Sequence, residues 1–521
     1  MSSPFNKRDT EDLKARGVSP EQAAFQLKML SGASPFVDLQ RPCTVGDEIE
    51  VFSKGDLERL AEVCSRASLS GRIMKFVPAS GAASRMFQSL LSIKSRLGEM
   101  GETFVSMESP GGDPAVEALR RLISGIGKFA FHDDLKSAAL QHGMELEDLL
   151  AKGRYDEILD CLLSEGGLNY GNLPKAMVKF HRYPSHCRSA FEEHLVEAAE
   201  YVKDNQGLSR VHFTVSPEHE DIVKGHWDEI IGRNQGKNLK WQVTFSTQRS
   251  STDTLSVDLR NQPLRDKDGR LIFRPGGHGA LLGNLNDLRG EIIFIKNIDN
   301  VAPDHLKREG TIYKKALGGY LVELQQEAFG YLERISRRRV RESLLKEVFE
   351  FARARLSVVA PKAVEEGSED EKVRFLSAKL NRPMRVCGMV RSEGEPGGGP
   401  FWIKRGGDVS SQIVESSQVD FQSMAQRALW ESSTHFNPVD LVCGVRNFRG
   451  VPFDLEKFVD QTACFVSIKS AAGQQLKALE LPGLWNGAMA DWTTVFVEVP
   501  IVTFNPVKTV FDLLRKEHQP G

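Results

Sequence analysis

No CxxC pair occurs anywhere in the 521 residues, and the seven cysteines (Cys43, Cys64, Cys161, Cys187, Cys387, Cys443 and Cys464) are scattered and odd in number. That removes zinc-site spacing and fits reduced thiols, so a cytoplasmic protein is expected. Apolar runs long enough to span a bilayer are absent too. The opening MSSPFNKRDTEDLKARG is polar and charged, unlike a signal peptide. A formal net charge of −2 argues against a life on nucleic acid or anionic membrane, so neither is expected as a partner. There is no internal repeat. What remains is a chain with 40% hydrophobic content, enough for a substantial core and more than one substructure.

Hydrophobic spacing orders the chain. Residues 1–66 read as helical, with Leu57, Leu60, Ala61 and Val63 at helical intervals. RIMKFVPAS (72–80) reads as a buried strand running into a small-residue loop, and 83–97 as a helix through Met86, Leu90, Ile93 and Leu97. A helix-rich stretch is expected over about 100–168. Strands recur at VHFTV (211–215), WQVTF (241–245) and EIIFIK (291–296), each separated by helical or loop segments. Such alternation predicts an α/β fold with a mostly parallel central sheet flanked by helices. A long helical region is expected at 316–358; its SRRRVRE (336–342) reads as a solvated face and EEGSEDEK (365–372) as a surface loop. Gly-rich turns, including GEPGGGPFWIK (394–404), then alternate with short strands. Three regions result: 1–66 helical, 67–315 an α/β core with the helical insertion, and 316–521 a helical connector with a C-terminal part of the core.

Five constellations carry possible chemistry. In FRPGGHGALLGNLNDL (273–288), Pro275, Gly276, Gly277, His278 and Gly279 precede a helical Leu281, Leu282, Leu285, Leu288 spacing. Glycine admits φ > 0 and close approach, so the segment reads either as a backbone cradle for an anion or as a tight turn. PASGAASRMF (78–87) sits between strand and helix, with Arg85 as a forked cation, but without the G-K-[ST] ending of a Walker loop. Asp299 in IKNIDN lies just past a strand end, where one carboxylate can hold Mg²⁺ against phosphates or merely cap a turn. Lys175 in LPKAMVKFH and Lys508 in TFNPVK each follow a proline closely. A lone lysine is usually solvated.

In order and type, this set resembles the motifs of the UDP-sugar pyrophosphorylases, among the nucleotide-diphospho-sugar transferases. The match covers about 72–508 and is similar to a bacterial family set beside the UDP-glucose and UDP-N-acetylglucosamine enzymes. The resemblance implies a GT-A-like nucleotidyltransferase core making a nucleoside diphosphate sugar and pyrophosphate from a nucleoside triphosphate and a sugar 1-phosphate, with Mg²⁺. It implies that Gly81, Ser84 and Arg85 wrap the triphosphate, and that Lys175 contacts phosphate oxygens. Gln248 would read the base, with Gly277 and His278 near uridine and sugar. Asp299 would bind metal, Lys508 would reach the sugar phosphate, and Glu415 would hydrogen-bond the sugar. Three departures leave base and sugar open: Ala83 and Ser84 stand where Gly and Thr are usual, the insertion before Lys175 is long, and Thr434 stands where the amino-sugar enzymes carry Asn. A glycosyltransferase using a nucleotide sugar, or a non-catalytic sugar-nucleotide binder, are the alternatives.

Overall fold

The structure, a computed structural model, describes residues 5–32, 36–100, 113–234, 240–337, 339–394, 397–471 and 474–521. Parts of four expected features fall outside them: 1–4 of the opening stretch, 101–112 of the helix-rich stretch, Arg338 of the arginine run, and 395–396 of the Gly-rich turn. The fold is α/β with a mostly parallel sheet flanked by helices. The chain divides into two compact units. One comprises Met1–Phe76, Ser246–Ile295 and Ile312–Ile501; the other comprises Val77–Phe245, Lys296–Thr311 and Val502–Gly521.

In the first unit, strands run in the order Thr44–Val45, Glu48–Glu50, Thr493–Glu498, Met384–Arg391, Asp440–Gly444, Ile292–Lys296, Ile73–Pro78. Ile292–Lys296 pairs parallel with Ile73–Pro78, and Met384–Arg391 parallel with Thr493–Glu498; Asp440–Gly444 runs antiparallel to Met384–Arg391. All five residues of IIFIK are buried. A strand covered on both faces reads as such a continuous apolar run. Phe76, Ile293, Ile295, Met389, Leu441 and Phe496 share a core with Leu281 and Leu285 of the short helix Leu281–Asp287. Each such side chain contributes roughly 1.5–3 kcal/mol when fully buried.

Three expectations are corrected here. The N-terminal region is not helical throughout. Helices Lys7–Arg16, Pro20–Ser31 and Lys54–Leu69 are interrupted by strands at Asp38–Pro42, Thr44–Val45 and Glu48–Glu50; the first and third pair with strands from beyond residue 398, and Thr44–Val45 pairs with Glu48–Glu50. Local spacing cannot show a strand whose partner is that distant. Likewise 365–372 is not all loop, because Ser368 caps a helix from Glu369 to Leu380 through a reciprocal bond with Glu371. The S-x-x-E box signals that start, and its acidic residues suit the positive end of the helix dipole. The long helix also begins earlier than expected, at Asp304, and runs to Ile335 before Glu342–Leu356.

In the second unit, strand Leu208–Val215 neighbours Lys240–Thr247. Phe191, on the helix Ala190–Tyr201 capped by Ser189, stacks on Phe213 with centroids 4.3 Å apart. Helices Pro114–Gly125, His132–Gln141, Leu146–Ala151 and Tyr155–Leu163 form the insertion. The chain then returns to the loop from which it left. Ala83 N–H donates to the Leu173 carbonyl at 3.0 Å, Lys175 N–H donates to the Gly81 carbonyl at 3.0 Å, and Ala82 faces Pro174 in an isolated bridge. This bridge delays the helix expected from residue 83. Ala83–Arg85 form a single 3₁₀ turn, and the α-helix starts at Gln88.

Candidate functional site

Within the second unit, the bridge between residues 81–83 and 173–175 brings Gly81, Ser84 and Arg85 beside Lys175. Lys175 opens a 3₁₀ turn, Lys175–Met177, and is buried at 9% exposure, so it is not the solvated lysine that a lone residue of this type usually is. A second pairing brings in the C-terminal segment. The Asp299 carbonyl accepts from Val507 N–H at 2.9 Å, and the Asn300 side chain accepts from Asn505 N–H at 2.9 Å. Lys508 follows directly, its turn fixed by its own N–H and that of Thr509 donating to Asp512 at 2.8 and 2.7 Å.

Both ammonium groups meet one oxygen. Asp299 Oδ2 accepts from Lys175 Nζ at 3.2 Å and from Lys508 Nζ at 3.0 Å, while Lys175 Nζ also donates to the Val507 carbonyl at 3.0 Å. Asp299 Oδ1 is buried and has no hydrogen-bond partner among the described residues. The side chain therefore caps no turn. Burial pushes the Asp299 carboxyl up, but Lys508 and Lys175 outweigh it and hold it below its ordinary value. Burial pulls the Lys175 ammonium down; Asp299 opposes this, and the charges of Lys508 and Arg85 add to the depression. Three cations against one carboxylate leave a surplus of two positive charges. An anion is what such a site accommodates.

Gly81 has open space where a Cβ would stand, whereas Arg85 is exposed. No group of three or more His, Cys, Asp or Glu able to hold a metal exists among the described residues. A single carboxylate with an unpartnered oxygen is still compatible with Mg²⁺, which characteristically takes one or two carboxylates and completes its shell with water and phosphate oxygens.

The first unit holds a different group. Gly277 adopts φ +76, the left-handed conformation that glycine makes cheap. At Gly276 a Cβ would press on the Thr252 carbonyl oxygen, and at Gly279 it would overlap that of Pro482. These two glycines serve close packing of the chain against itself. The helix that follows has seven residues, and its first N–H groups are partly satisfied by the 3₁₀ turn His278–Ala280. The segment is thus less an open cradle than a tight mount for one ring. His278 stacks on Trp485 with centroids 4.5 Å apart and planes inclined by 17°. Its Nδ1 accepts from Leu484 N–H at 3.0 Å, which puts the ring proton on Nε2, 3.8 Å from Glu415. Burial holds the imidazole below its ordinary pKa. Glu415 is itself fixed by reciprocal bonds with Gln418, whose side chain also accepts from Asn486 at 2.9 Å. Gln248, in this unit as well, has a buried Nε2 with no hydrogen-bond partner among the described residues.

Trp485, Gln418 and Asn486 were not among the sequence candidates; a tryptophan inside the Gly-rich PGLWNGAM was the available signal. Equally unforeseen is a buried network in the second unit. His181 bridges Glu193 and His518 at 2.9 Å each, and Tyr183 and Lys307 also bond Glu193. The network ties the segment that carries Lys508 to the strand Lys179–Arg182.

The chain belongs to the DUF4301 family, described as a domain of unknown function, whose model matches residues 6–519. No curated protein matches it. Among solved structures it is similar to UDP-glucose phosphorylase from Trypanosoma brucei, at 10% identity and a TM-score of 0.44 over 98% of this chain and 80% of that one. It is also similar to uridine diphosphate N-acetylglucosamine pyrophosphorylase from Trypanosoma brucei, at 12% identity and 0.47 over 98% and 79%. A UDP-glucose pyrophosphorylase variant from Leishmania major matches at 11% identity and 0.46 over 100% and 81%. Among the described residues no helix is long and apolar enough to cross a membrane.

Proposed function

We propose that this DUF4301 protein is a nucleotidyltransferase that joins a sugar 1-phosphate to a nucleoside triphosphate, with a UDP-sugar as the favoured product and pyrophosphate released. The observation that carries this reading is the convergence of Lys175 and Lys508 on Asp299, beside Arg85, in a site with two surplus positive charges. In such a reaction a phosphate oxygen of the sugar 1-phosphate attacks the α-phosphorus in line. The new P–O bond forms as the α–β bridging P–O bond breaks, and the electron pair leaves with pyrophosphate. No residue needs to be acylated or phosphorylated, so the protein's task is positioning and charge neutralisation.

Each residue has a task of that kind. Lys175, with two N–H groups already committed, offers the third to a phosphate oxygen. Lys508, more than half exposed, reaches the sugar phosphate. Arg85 holds the departing pyrophosphate by its fork. Gly81 and Ser84 let the backbone approach the triphosphate. Asp299 would hold Mg²⁺ through Oδ1, and that ion would neutralise charge on the phosphates. Gln248 would use its unpartnered Nε2 on the base, Gly277 and His278 would lie near the uridine and sugar, and Glu415 would accept from a sugar hydroxyl.

The test is the reverse reaction. Purified protein is incubated with pyrophosphate, Mg²⁺ and a panel of nucleoside diphosphate sugars, and triphosphate release is measured. Release from at least one UDP-sugar is expected. Sugar transfer that ignores pyrophosphate, or no triphosphate from any member of the panel, would overturn the reading.

A further inference from the structure

The first unit contains a cavity of about 730 Å³ that His278, Glu415 and Trp485 do not line. Small-molecule sites characteristically enclose about 300–1,000 Å³ and combine an apolar lining with a few polar groups. This one has that division. Leu282, Leu479, Cys464 and Ala488 are buried and form an apolar part of the lining. Glu21, on the helix Pro20–Ser31, and Glu456 are exposed carboxylates on the same lining. Among the described lining residues the one cation is Arg249, which is engaged by Asp287 and also lies 4.0 Å from Glu456, so the carboxylates outnumber it. The lining therefore repels phosphates and favours a positive group.

We propose that this cavity is a binding site for a small amphipathic organic cation, an aryl or alkyl amine whose apolar body covers the partly exposed Phe25 and Leu481 and whose ammonium lies by Glu21 and Glu456. The cavity adjoins the segment used in the nucleotide reading, since Gly279 and Ala280 line it, and differs from that reading in charge preference. Gly283 supplies a control, because it lines the cavity and a Cβ there meets only the Arg249 side chain, at 3.5 Å, an ordinary contact. A large side chain at 283 grows toward the exposed Arg249 side chain that lines the same cavity, and an alanine-like backbone in a helix costs less than glycine.

The probe is dansylcadaverine, a fluorescent arylsulfonamide with a cationic tail, titrated into the full chain without nucleotide. Its anionic relative dansylglycine is the charge control. Saturable, blue-shifted fluorescence is expected with dansylcadaverine, and binding at least tenfold weaker with dansylglycine. Gly283→Phe should weaken dansylcadaverine at least tenfold, and Glu21→Gln with Glu456→Gln should remove most of the preference between the two probes. Equal affinity of both probes for the wild-type protein overturns the proposal. So does unchanged dansylcadaverine binding to a folded Gly283→Phe. If that variant does not fold, Ser251→Phe, a partly exposed lining residue, takes its place with the same two outcomes.

Discussion

The Lys175–Asp299–Lys508 cluster and the His278–Trp485–Glu415 group hold their residues by opposite means. In the first, side chains meet because charges compensate, and one carboxylate oxygen is shared by two ammonium groups. In the second, a ring is fixed by stacking, by one backbone N–H and by glycines that let strands of chain touch. The difference teaches where each can fail. Removing a charge from the first leaves another charge buried, whereas removing a contact from the second loses only that contact.

Asp299→Asn should therefore have the largest effect. It leaves the buried Lys175 ammonium without its counter-charge, and removing one partner of a buried pair costs about 3–5 kcal/mol. Pyrophosphate exchange should fall to background, and the melting temperature should drop even without ligand. Full exchange at low Mg²⁺ would take Asp299 out of the site. Arg85→Lys should come next. It keeps the charge but not the fork, and loss of one preorganised donor lowers kcat by about 10²–10³. Turnover within a few-fold of wild type would show that the fork is not used.

Two glycines sharpen the contrast further. Gly279→Ala forces a methyl into the Pro482 carbonyl and should cost about 1–3 kcal/mol of stability, read as a lower melting temperature. Gly81→Ala meets open space, so the fold should be indifferent while the KM for triphosphate rises. If the two variants exchange these behaviours, the assignment of packing to one loop and ligand approach to the other is wrong. Trp485→Leu removes an aromatic pair worth about 0.5–1.5 kcal/mol beyond its area, so KM should rise tenfold or less with kcat kept. The smallest effect is in acid. The Asp299 carboxyl is depressed in the folded chain, so its contribution to stability is complete above the unfolded value of about 4 and is lost as pH falls through the folded one. Acid melting curves of wild type and Asp299→Asn should converge below that range; a constant gap would mean that the carboxylate is not the group titrating.

Much of the sheet was legible in the sequence because its strands are short apolar runs: 211–215, 241–245 and 291–296 each fall within or nearly within an observed strand. The charged residues of the cluster were legible as types in order. Their meeting was not, since Lys508 reaches Asp299 across 209 residues and Lys175 across 124. No local period encodes such a contact. The strands Asp38–Pro42 and Glu48–Glu50 were missed for the same reason. The glycine-rich segment misled in another way, because close packing of backbone on backbone and close approach of a ligand demand the same residue, and only the neighbours at Thr252 and Pro482 distinguish the two.

The arrival of Lys508 also imposes a timetable on the ribosome. At about 5–20 residues per second, the segment bearing it emerges roughly 10–40 s after Asp299. Throughout that interval the nascent chain holds Asp299, Lys175 and Arg85 with no partner from 502–521, and Asp299's backbone has nothing in place of Val507 to pair with. The three cations are thus brought together only once the segment bearing Lys508 has been made. A ribosome stalled between residues 299 and 508 displays a chain that holds Asp299 and still has one cation too few.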